Sequence, residues 1–176
     1  SPKIKLDKPK EFKLKNGIRV LVVENHKLPR INYSLRFDRK PIVEGEKAGV
    51  ISLLGSMLGN GTTNIPKDDF NEEVDFLGAG INVGFGSGFA FTLTKNNEKV
   101  LDLFSDAVIN PLLTEEEFEK EKDKLIEGLK SQKKDIDAIS GRVGDALSYG
   151  KSHAYGEFIS EQTIDNIKFE DILDYH

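Results

Sequence analysis

The chain has 176 residues, long enough for one domain with a sizeable core and too short for two ordinary ones. Hydrophobic residues are 38% and charged residues 31%, which excludes a disordered tail, and the absence of cysteine excludes disulfides and thiolate metal sites. A net charge of −5 argues against a nucleic-acid partner, and no apolar run approaches the roughly 20 residues of a membrane-spanning helix.

After a lead-in of ten residues rich in Lys and Pro, Phe12 and Leu14 alternate with Lys13 and Lys15. Asn16-Gly17 then supplies a turn, and Ile18 to Val23 returns as a second strand. A third strand runs from Ile31 to Phe37, with Ile31, Tyr33, Leu35 and Phe37 on one face. The stretch Ala48 to Thr62 holds Val50, Ile51, Leu53, Leu54, Met57 and Leu58 around most of a cylinder, which predicts a central helix packed on more than one side.

Pro66 suits the first position of a second helix, through Phe70, Val74 and Leu77. Two strands, about Ile81 to Phe85 and Phe89 to Thr94, flank Gly86-Ser87-Gly88. Asn96 or Asn97 can cap a third helix that buries Val100, Leu101, Phe104, Val108 and Ile109 and closes at Asn110-Pro111. Thr114 and Glu117 form a capping box for a fourth, through about Lys134, with Phe118, Leu125 and Leu129 as its buried stripe. Helices over about Ala138 to Tyr149 and Phe169 to Tyr175 complete the chain. Strands followed by helices in this order predict an α+β fold, a mostly antiparallel sheet covered by helices.

The central helix carries the one constellation that bears on chemistry. Ser52 and Ser56 are four apart and share a face, with Gly55 beside them. That is the spacing at which a helix presents two metal ligands and a base. Serine hydroxyls are poor zinc ligands and glycine offers no donor, so neither a zinc site nor a base is expected there. The expectation is instead that these small residues pack closely against a neighbouring helix or fill a cavity. A serine nucleophile needs a base, and His26, His153 and His176, the three histidines, are not placed by sequence to supply one. The glycines at 78, 80, 84, 86 and 88 lack the Lys-Ser/Thr ending of a phosphate loop and read as turn and bulge positions.

The run Met57-Leu58-Gly59-Asn60-Gly61-Thr62 resembles the tail of the inverted zinc motif, His-x-x-Glu-His, of the insulinase and mitochondrial-processing-peptidase family of zinc metallopeptidases. The resemblance extends to the opening hairpin, to Asn110-Pro111 and to His153-Ala154-Tyr155-Gly156. In this register Ser52 and Ser56 stand where the family has its histidines, and Gly55 where it has the glutamate base. Aligning Glu119-Lys120-Glu121-Lys122 with the family's usual run puts Gly128 at the third zinc ligand, with Glu127 next to it, and Glu121 at a supporting carboxylate expected to be a surface residue.

The resemblance implies a fold domain, residues 1–176, from the N-terminal part of a longer chain, with a last strand still to come. It also implies that Asn82 and Val83 lie on an edge strand that binds peptide substrate through main-chain hydrogen bonds. The function implied is a non-catalytic homologue, without zinc, that forms the peptide-binding or structural half of a two-chain clamshell with an active insulinase-like peptidase chain. The alternative is a structural or binding protein of this descent with no proteolytic role. For a bacterial protein the resemblance slightly favours the periplasm or cell envelope. The absence of cysteine fits the cytoplasm equally well.

Overall fold

A computed structural model describes residues 8–176, which fall into two compact units, one up to Arg30 and one over Ile31–His176. The first unit contains a hairpin in which β1 (Lys10–Lys13) pairs antiparallel with β2 (Arg19–Val22), Lys10 opposite Val22 and Lys13 opposite Arg19. The expected two-residue turn is wider. The Leu14 amide donates to the Ile18 carbonyl at 2.8 Å, and Asn16 Oδ1 accepts from the Ile18 amide at 3.2 Å. An asparagine that bonds the backbone two residues on draws Leu14 and Lys15 into the loop, so the strand ends at Lys13. Arg19 and Glu11 form an ion pair across it at 2.7 Å.

Strands β3 (Arg30–Arg36, all but its first residue in the second unit), β4 (Gly80–Gly84) and β5 (Ser87–Leu93) make a sheet in the order β3-β5-β4. β4 and β5 are antiparallel, with Gly80 opposite Phe91 and Gly84 opposite Ser87. Their turn is only Phe85-Gly86, with Gly86 at φ +84°. Because glycine accepts that conformation without strain, the chain reverses early, and Ser87 and Gly88 join β5 instead of the turn expected for them.

Seven helices accompany this sheet among the described residues: α1 (Val50–Met57), α2 (Lys67–Phe76), α3 (Asn97–Ile109), α4 (Glu115–Gln132), α5 (Ile136–Tyr149), α6 (Glu161–Asp165) and α7 (Phe169–Tyr175). α1 packs against α4, α7 and β4, and its Val50, Leu53, Leu54 and Met57 lie in the core with Phe70, Val83, Ala90, Val100, Phe104, Phe118 and Ile172. Each of these side chains larger than alanine contributes about 1.5–3 kcal/mol of burial. The α+β organisation read from the sequence is the one observed.

The N-terminus of α1 is held by carboxylates from a distance. Its N-cap is Gly49 at φ +112°, which has no side chain to offer, and Glu44 Oε2 accepts from the Gly49 and Ile51 amides, both at 3.0 Å. Glu157 in turn accepts from the Glu44 and Gly45 amides at 2.9 and 2.7 Å. These bonds satisfy donors that a helix start leaves unpaired.

Two expected caps differ. Asn96 donates its amide to the Leu77 carbonyl at 2.9 Å instead of capping α3, because a short 3₁₀ turn over Thr94–Asn96 already leads into the helix. Thr114 Oγ1 accepts from the Glu117 amide at 3.3 Å, but Glu117 reaches Lys67 at 3.0 Å, so the reciprocal arm of the box is not made. Helix α6 was not expected. It opens with a reciprocal Ser160–Thr163 box, at 2.9 and 3.1 Å, and five residues are too few to register as a periodic pattern.

Candidate functional site

Helix α1 presents its small residues outward. Ser52 and Ser56 are exposed and Gly55 is half-buried, while the apolar residues of α1 face the core. The expectation that these residues pack against a neighbouring helix is therefore wrong. Six apolar side chains on eight or nine positions already satisfy the core, and what remains on α1 points away from it. A Cβ added at Gly55 would meet only the Phe85 amide nitrogen, at 3.9 Å, an ordinary contact. Gly55→Ala is accordingly expected to stabilise the protein by about 0.5–1 kcal/mol, through the lower backbone entropy of alanine in a helix. Urea denaturation would measure it, and a loss of stability would mean that the site is closed.

The Ser56 hydroxyl donates to the Leu53 carbonyl of its own helix at 2.8 Å. It is thus engaged with the backbone rather than with a base. His26 lies 3.5 Å from Glu24 in the first unit, and His153 stacks on Tyr149 with Nδ1 accepting from the Tyr155 amide at 3.2 Å. Among the described residues no three histidine or carboxylate side chains gather where they could hold a metal ion.

On α4, Gly128 is exposed and a Cβ there would meet nothing within 4 Å. Its neighbour Glu127 is 72% exposed and paired with Lys130 at 2.9 Å. Glu121 departs from the surface role expected of it. Its side chain is only 12% exposed and pairs with Lys124 at 2.5 Å, an interaction that also raises the Lys124 pKa.

Two features around α1 were not visible in the sequence. Arg39 lies over the Phe85 ring, 3.4 Å from its centre, so a guanidinium covers the β4–β5 turn that Gly55 approaches. The exit of α1 is a second. Gly59 and Gly61 adopt φ +76° and +97°, and Thr62, 1% exposed, accepts on Oγ1 from the Asn64 and Ile65 amides at 3.1 and 2.9 Å. The Thr62 hydroxyl, then the Asn110 and Asn64 amides, hold the Asp106 carboxyl below the usual carboxylate range. The stretch Gly61-Thr62 therefore joins the end of α1 to the end of α3. Its role is structural.

The strand order places β4 on the edge of its sheet, paired to β5 on one side only among the described residues. Asn82 is exposed, whereas Val83 is buried as a whole residue, 6% exposed, with its side chain in the core. Gly59 follows α1 so closely alongside that a Cβ on it would lie 3.3 Å from the Val83 amide nitrogen. The helix bearing the two serines and the edge strand thus sit side by side.

The fold is that of an α+β domain in which a helix with an outward Ser-x-x-Gly-Ser face lies beside the edge strand of an antiparallel sheet. A sequence model of the insulinase family, peptidase family M16, matches residues 42–147. The chain belongs to that family. Among solved structures it is similar to a peptidase M16 inactive domain from Pseudomonas fluorescens, with a TM-score of 0.81 and 22% identity over 95% of this chain. It is also similar to a protease from Helicobacter pylori, with a TM-score of 0.74 and 22% identity over 97% of this chain. The chain spans 42% and 43% of the length of those two chains. No curated protein matches significantly.

Proposed function

We propose that this chain is the non-catalytic, peptide-holding half of a two-chain insulinase-type peptidase, working with a partner chain that carries an intact His-x-x-Glu-His motif. The observation that carries the reading is the unpaired flank of β4 alongside α1, with Asn82 exposed on it. An extended peptide added to such an edge is held mainly by main-chain hydrogen bonds, which gives affinity without close dependence on sequence. Ser52, Gly55 and Ser56 beside that edge offer space and no donor set for a metal, so cleavage falls to the partner.

The test is co-purification with a motif-bearing homologue of the same organism, followed by peptidase assays of each chain alone and of the pair. Cleavage is expected from the pair and not from this chain. A substrate peptide N-methylated at alternate amides should bind at least tenfold more weakly in one methylation register than in the other, because an added strand uses alternate amides toward its neighbour. Equal binding in both registers, or a partner fully active without this chain, would reject the reading.

A further inference from the structure

Away from α1, the second unit contains a cavity of about 450 Å³ between α4, α5 and the segment that enters α6. Its lining is mixed, with an apolar part made of Leu129 from α4, Ile139 and Val143 from α5, and Phe158 with Ile159 from the segment, and a polar part that includes Ser160 and Gln162. Ile139 and Val143 remain 38% and 46% exposed, so the cavity opens to solvent along α5, a helix with no buried residue. A volume of this size suits a small organic molecule.

Three charged side chains line the cavity, Lys133, Arg142 and Glu161. Lys133 and Glu161 pair with each other at 2.5 Å, and this contact holds the Glu161 carboxyl below its usual range. Arg142 is left over. Its Nε is buried with no hydrogen-bond partner, and it makes no ion pair among the described residues. A buried donor without a partner is uncommon in a native structure, and here it belongs to a guanidinium that the described residues leave without a counter-charge. The lining thus has one uncompensated positive charge in a protein whose net charge is −5.

We propose that this cavity binds an aliphatic monocarboxylate, with the carboxylate on Arg142 and the tail against Leu129, Ile139, Val143, Phe158 and Ile159. A guanidinium presents parallel N–H donors that match both oxygens of a carboxylate, and the apolar part of the lining offers contact to an aliphatic tail. This chemistry occurs in two sources, a free medium-chain fatty acid and the apolar C-terminal residue of a peptide. The inference is independent of the peptide-holding role proposed for β4.

Calorimetric titration of the intact protein with decanoate, decanol, decylamine and an N-acetylated dipeptide ending in leucine tests it. At least one of the two carboxylates is expected to bind, and the stronger of them names the source. Decanol and decylamine should each bind at least tenfold more weakly than that carboxylate. Arg142→Met, which keeps length and removes charge, should weaken carboxylate binding at least tenfold while leaving decanol unchanged. Ile139→Glu, which offers Arg142 an internal carboxylate one helical turn away, should abolish binding in a protein that melts normally. The proposal is overturned if neither carboxylate binds, if decanol or decylamine binds as well as they do, or if the Arg142 variant binds as the parent does.

Discussion

Gly61→Ala is expected to destabilise the protein by about 2–5 kcal/mol, a substantial fraction of the about 5–15 kcal/mol by which a domain is stable. Gly61 has φ +97°, and a Cβ on it would lie 2.9 Å from both the nitrogen and the Cα of Lys67 and 3.2 Å from the Ile65 carbonyl oxygen. The left-handed region by itself costs a residue with a Cβ about 1–2 kcal/mol. The obstructing atoms here are backbone at the start of α2, so no change of rotamer relieves the overlap, which adds about 1–3 kcal/mol. Movement of the loop would also strain the Gly61 carbonyl, which accepts from the Leu112 amide at 3.2 Å, and the bonds that converge on Thr62. Gly78 provides the control. It too has a positive φ, +58°, but open space around it, so Gly78→Ala should show the conformational cost alone. Urea denaturation of both variants gives the comparison, and a Gly61 variant no worse than the Gly78 variant would disprove the steric account.

Restoring the metal ligands is expected to create zinc binding without creating an efficient peptidase. Ser52→His, Gly55→Glu and Ser56→His place two imidazoles and a base on the outward side of α1, and Gly128→Glu adds a carboxylate on α4, the helix that packs against it. Neither glycine position is obstructed, the nearest atom to a Cβ at Gly55 being 3.9 Å away and none lying within 4 Å at Gly128. Metal analysis of the four-residue variant should give one zinc per chain. Zinc at a hundred times its dissociation constant would raise stability by about 2.7 kcal/mol. Cleavage of an unstructured peptide should stay near background, since the groups that orient each imidazole were not selected for, and their absence costs about 10–100-fold in affinity or activity. Rapid, chelator-sensitive cleavage by this chain alone would show instead that only the ligands had been lost.

The fate of the zinc-motif resemblance separates two kinds of information in the same fifteen residues. Gly61 and Thr62, which carry the likeness in the sequence, serve the fold by tying α1 to α3. Ser52, Gly55 and Ser56, which carry the departure from it, lie on the outward side of the helix, where the core makes no demand on them. Backbone geometry at Gly61 is enforced by sterics, and donors at three exposed positions are enforced only by catalysis.

The amino-acid sequence by itself determined the α+β class, most helix positions and the absence of zinc donors on α1. These follow from apolar spacing, turn residues and side-chain chemistry, all of them local. Strand ends at Lys13 and Ser87 escaped it because a single Asn16 bond and a single φ at Gly86 decide where each turn closes. Only the tertiary structure decided that Glu121 is largely buried, that Glu117 pairs with Lys67 rather than with its own helix start, and that Arg39 covers Phe85. It alone placed β4 at a sheet edge beside α1 and left Arg142 without a partner. The physical reason is common to all of these. Exposure of a strand edge, the partner of a carboxylate and the isolation of a guanidinium depend on groups 50 or more residues away in some cases, as between Lys67 and Glu117, and such proximity has no periodic signature in a chain.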